Sequence, residues 1–228
     1  VILDEFAIPG VEYFPGATNE ATPNALGFLG GVKTSYGLGQ GVFHSSFEFA
    51  KTDPYLYLRD GVNEKDGYGF SYVVALRQYS STNGYVSYDE YWLGYKYGAD
   101  AIVFDFKAGW DIPGKFTVEG NLFYMAHGTH DMWTRWTKTG GKGEVAWKEQ
   151  SQTPTTKHES VNEKYHDEGL RDSVEQTFIA GLNVSYNFNS NLKAFTQLDF
   201  VSVSNWGNIS TNPVQTDFQM VFGGTWSF

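Results

Sequence analysis

The chain has 228 residues, with 16 Lys and Arg against 26 Asp and Glu and a formal net charge of −10. An acidic chain without a Lys/Arg-rich run lacks the clustered cations that nucleic acid rewards, and zero Cys excludes disulfide frameworks, Cys-ligated metals and thiol catalysis. Charged residues make up only 18 %, below the roughly 25 % of ordinary soluble domains, whereas aromatics reach 18 % and Gly numbers 26. The longest apolar runs, such as Tyr72 to Leu76, fall far short of the about 20 residues a membrane helix needs. A soluble aromatic-rich β protein fits, and so does one that crosses a membrane with strands.

Reading by parity along the chain predicts strands near 25–36 and 41–51, where Phe43, Phe47 and Phe49 alternate with His44, Ser46 and Glu48. A period of two is the strand signature and suits no helix. Next comes 68–79, with Tyr68, Phe70, Tyr72, Val74 and Leu76 against Ser71, Ala75 and Arg77, and then 88–97. Residues 101–110 oppose Ile102, Phe104, Phe106, Ala108 and Trp110 to Asp105, Lys107 and Gly109. Residues 115–127 oppose Phe116, Val118, Leu122 and Tyr124 to Thr117, Glu119, Asn121 and His127. The last three, 174–188, 192–204 and 214–228, alternate in the same way and bring the total to about nine.

A soluble sandwich also alternates, but these stretches match the about 9 to 11 residues of a tilted membrane strand better than the about 5 to 6 of a soluble one. One parity is rich in Phe, Tyr, Trp and Leu, and the other holds full charges and amides. An apolar outside, a polar lumen and aromatics near strand ends describe an antiparallel, up-and-down transmembrane β-barrel of about nine to ten strands, a single domain over 1–228. Its lumen is expected to be lined by Lys33, His44, Glu48, Arg77, Lys96, Asp105, Lys107, Glu119, Lys193, Asp199 and Asp217. Mixed signs there predict no ion preference.

Such barrels alternate short periplasmic turns with long external loops. The short links are 37–40, 81–84, 111–114 and 189–191; the long ones are 52–67, 128–173 and 205–213. Gly98-Ala99-Asp100 breaks the rule, being short although parity puts it outside. Parity also requires an upward strand ahead of 25–36, whose end is expected within Val1 to Ile8. Val1-Ile2-Leu3 has no signal-peptide pattern, so this is read as a short tenth strand or, preferably, as part of the C-terminal portion of a larger barrel.

The last strand, with Phe218, Met220, Phe222 and Trp226 at alternate positions before the terminal Phe228, resembles the assembly signal of Gram-negative outer-membrane proteins. That resemblance implies an outer-membrane location, lipid around the barrel and insertion by the outer-membrane assembly machinery. Gly94-Tyr95-Lys96-Tyr97-Gly98-Ala99-Asp100, followed by Tyr124-Met125-Ala126-His127-Gly128, is similar to the Gly-x-x-x-Gly-x-Asp segment and later Gly-rich strand end of capsule-assembly surface barrels. It covers about a sixth of the chain and implies lectin-like polysaccharide binding.

Two clusters could carry chemistry. His127, His130 and Asp131 put imidazoles and a carboxylate at the mouth of the longest loop, where a His beside a carboxylate can act as a base. No Ser or Thr can be read as a nucleophile set beside a His and an Asp, and the plain reading is a polar strand end with no metal and no cofactor. The loop itself carries Trp133, Arg135, Trp136 and Trp147, whose indole faces could stack on sugars or anchor at a headgroup belt. The expected function is a surface barrel handling polysaccharide or other envelope material or envelope proteins. A porin-like channel is the alternative, and an outer-membrane hydrolase or lipid-modifying enzyme the second.

Overall fold

Long alternating stretches fold as long strands because period two sends one whole set of side chains to each face of a pleated sheet. The computed structural model describes residues 2–5, 25–54, 56, 58–59, 70–71, 74–80, 86–92, 94–130, 153–156 and 171–227. In chain order the strands are β1 (Ile2–Glu5), β2 (Ala25–Leu38), β3 (Gly41–Thr52), β4 (Leu58–Arg59), β5 (Phe70–Ser71), β6 (Val74–Ser80) and β7 (Val86–Trp92). There follow β8 (Ala101–Ile112), β9 (Phe116–His127), β10 (Glu175–Asn187), β11 (Leu192–Ser204) and β12 (Gln215–Trp226). One 3-10 turn, Trp206–Asn208, is the only helix among the described residues.

The fold is all-β. Seven strands of 12 to 14 residues, with the four-residue β1 added at one edge, form one sheet in the order β1-β2-β3-β8-β9-β10-β11-β12. The pairing is antiparallel, with Gly181 opposite both Asn121 and Asp199, and Asp199 opposite Gln219. Ile2 pairs with Gly27, so the strand expected ahead of 25–36 is present. β1 and β12 end the order without pairing to each other among the described residues, so the sheet is not closed.

The expected strands 68–79 and 88–97 are not in this sheet. β6 pairs with β7 in a separate two-stranded sheet, β4 pairs with β5, and β3 neighbours β8 directly. Within β7 charge falls on both parities, with Glu90 on one and Asp89 on the other. Lys96, expected on a strand, lies past the end of β7 in a turn closed by Gly98 N–H donating to Tyr95 O at 2.8 Å. The oddity of a short external link also disappears. Connections 39–40, 113–115 and 188–191 join strands at one end of the sheet, and 53–100, 128–174 and 205–214 join them at the other.

The chain forms two compact units. The strand unit, Leu29–Ala50, Ile102–His127 and Val174–Phe228, buries little apolar side chain: Ala50, Val103, Phe123 and Ala126. Phe104, Phe106, Leu122, Phe178, Leu182, Phe200, Phe218 and Phe222, all at even positions, are exposed. The second unit, Val1–Phe28, Lys51–Ala101 and Gly128–Ser173, has a small core of Ala25 and Leu56 with Tyr95 and Ala99 packed on it.

Candidate functional site

The densest buried chemistry lies in that second unit. Asp100, His130, Thr129 and Thr155 are 0 %, 1 %, 0 % and 3 % exposed. Asp100 sits just before β8 at φ 57, a left-handed position that Asp tolerates better than most side chains. Its Oδ2 accepts the His130 N–H at 3.0 Å and the Thr155 hydroxyl, and its Oδ1 accepts the Thr155 N–H at 2.9 Å. His130 Nδ1 lies 3.0 Å from Thr155 Oγ1 and 3.7 Å from Asp100 Oδ2, and Thr129 Oγ1 is 2.9 Å from Thr155 Oγ1. Gly128 has no side chain because a Cβ there would occupy the space of the Asp100 carboxylate; its N–H donates to Asp100 O at 2.7 Å.

Asp53 forms a second anchor beside the first. Its Oδ1 accepts the Thr153 hydroxyl at 3.1 Å and pairs with Lys51 Nζ at 3.4 Å, its Oδ2 accepts the Leu26 N–H, and its carbonyl accepts the Asp100 N–H. Residues 153–156 are therefore a strap in which Thr153 and Thr155, two positions apart, hook onto two carboxylates. Arg171 adds a bond from Nη1 to Thr129 O at 3.0 Å. Burial pushes the Asp100 carboxyl up from 3.8 to about 7, the nearby Asp53 charge adds to the rise, and the bonds from Thr155 and His130 oppose it.

The polar face of the strand unit is organised by glycine. His44 lies over Gly109 and reaches Glu119 at 3.4 Å, and Asn121 and Asp199 lean over Gly181 from the two flanking strands. Lys107 and Asp105 pair at 3.8 Å, and Gln197 donates to Asp199 at 2.5 Å. Lys33, Glu48, Lys193 and Asp217 lie on β2, β3, β11 and β12, and Arg77 on β6 opposite Asp89. This face is not polar throughout. Phe123, Ile179 and Val201 stand in one row across it, and Val103 and Phe123 are buried.

Of the residues expected to bind ligand, His130 is buried in the Asp100 cluster and His127 ends β9, where its carbonyl accepts the Asn208 amide at 2.9 Å. Asp131, Trp133, Arg135, Trp136, Trp147 and Phe228 lie outside the described residues. The sequence reading missed the roles of Asp53, Thr153 and Thr155, because nothing local marks residues paired across 100 positions. Gly98 and Asp100 in one motif and Gly128 in another are visible in the sequence, and the structure brings those two separated motifs into contact. The sequence reading also passed over Trp206, which is 56 % exposed on a turn held by Asn205 and Asn212. No family model, no curated protein and no solved structure matches this chain.

Proposed function

We propose that this chain spans an outer membrane as a β-barrel or part of one, with its aromatic face against lipid and its long connections at the cell surface. The exposed apolar face carries this reading. Strands of 12 to 14 residues present Phe, Leu and Met to the surroundings, whereas the described interior buries few apolar side chains. In water such a face would be a large aggregation-prone patch; in a bilayer it is a solvated surface. The connections at one end, chiefly 128–174, then serve recognition of polysaccharide or another envelope polymer, through their indoles and the polar groups beside them in sequence.

A porin-like channel is the second reading, favoured by the row Glu119, Asn183 and Gln197 beside the row Asn121, Asp199 and Gln219. The apolar row of Phe123, Ile179 and Val201 on the same face weighs against a continuous water path, and recognition is ranked first. Single cysteines test the membrane reading cleanly, because the chain has none of its own. A polarity-sensitive dye on Val184→Cys should report an apolar surrounding in lipid vesicles, and the same dye on Ser185→Cys an aqueous or polar one. Matching emission from the two positions refutes the assigned face.

A further inference from the structure

We propose that Asp100, Thr155 and His130 form a proton-controlled latch, which fastens the 153–156 strap to the segments before β8 and after β9 and loosens as Asp100 loses its proton. This goes beyond the membrane reading and does not depend on it, since every group lies in the second unit. The geometry comes first. One carboxylate, out of contact with water, accepts three hydrogen bonds from two other segments of the chain, and no strand pairing among the described residues holds residues 153–156 in place. The strap's described fastenings include the bonds of Thr155 to Asp100 and Thr129, of Thr153 to Asp53, and of Thr129 N–H to Thr155 O.

With Asp100 protonated, Oδ2–H can donate to Thr155 Oγ1, whose own hydrogen then donates to His130 Nδ1; the chain of donors and acceptors closes without net charge. When Asp100 ionises, the Thr155 hydrogen turns back to Oδ2, and a negative charge is buried beside a second carboxylate. Among the described residues the charged and titratable groups facing it are His130 from the segment after β9, Asp53 and Lys51 from the end of β3, and Arg171 on Thr129. Lys51 is 3.4 Å from Asp53 and Arg171 donates to a carbonyl, so neither cation is engaged with Asp100.

The direction follows. A carboxyl whose folded value is raised contributes stability that is full below its unfolded value of 3.8 and is lost as pH rises through about 7. Spin labels on Lys96→Cys and Thr156→Cys, both exposed, report the strap against the turn in the otherwise complete chain. Between about pH 4 and 7 the open fraction should grow by up to about tenfold per pH unit, and it should level off above about 7. Asp100→Asn should make it independent of pH. Should that variant not fold, Thr155→Val, which removes a donor that holds the carboxyl down, should move the midpoint to higher pH. A distance distribution unchanged with pH in the parent chain overturns the latch, as does an undiminished pH step in Asp100→Asn or an unmoved midpoint in Thr155→Val.

Discussion

At the residue scale, the strap region rests on two positions that tolerate little change, for opposite reasons. Asp100 must combine a left-handed backbone with a carboxylate, a pair of demands that Gly or a β-branched residue cannot both meet. Gly128 must have no side chain, since the Asp100 carboxylate fills the place a Cβ would take. Replacing Gly128 with Ala therefore pushes apart groups that are already packed, at a cost of about 1–3 kcal/mol typical of overpacking. The damage should be local: proteolysis within the 128–173 connection should quicken while the strands persist by circular dichroism. Unchanged cleavage in Gly128→Ala would show that the Asp100 carboxylate does not sit against this glycine.

At the element scale, each strand is a choice of parity, and a single pair of neighbours tests it. Val184 shares a face with Leu182 and Tyr186, whereas Ser185 faces Thr117 and Phe195 across the register. If the first face meets lipid, Val184→Arg should cost about 2–4 kcal/mol near the bilayer midplane and Ser185→Arg distinctly less. Equal shifts in the heat resistance of the folded form in detergent would sink the register. The seven long strands were legible because period two is local and strong: 192–204 was read from sequence with the bounds it has in the structure. The two strands of the hairpin β6–β7 were legible as well, but not their separation from the sheet, because which strand pairs with which depends on whole faces. Phe195 shows the same limit. It breaks the polar parity of β11, yet its ring covers Gly223 on β12, a cross-strand match invisible in either strand alone.

At the scale of the whole molecule, the sheet sorts its connections. The short ones, 39–40, 113–115 and 188–191, share one end, and 53–100, 128–174 and 205–214 share the other, the sorting that the proposed barrel with recognition loops on one side requires. The candidate site was only half legible for the same reason. His130 was visible, but its partners Asp100 and Thr155 come from two different long connections, and their meeting is a property of the fold. The strap also says how the recognition proposal should be tested. Thr129 N–H donates to Thr155 O at 3.3 Å, so the chain leaving at 130 and returning at 153 is already side by side. Residues 132–150 can be replaced by a short Gly/Ser linker without stretching either end, and Thr153 and Thr155 remain to hold Asp53 and Asp100. That deletion removes Trp133, Trp136 and Trp147 together with Arg135. It should leave strand content and vesicle insertion unchanged, because connections between strands tolerate large changes. Binding to a panel of bacterial surface polysaccharides should fall at least about tenfold, the loss of roughly one stacked indole's worth of free energy. If the shortened protein binds as the parent does, recognition does not reside in this connection; if neither binds any polymer but both conduct ions across a planar bilayer, the channel reading replaces it.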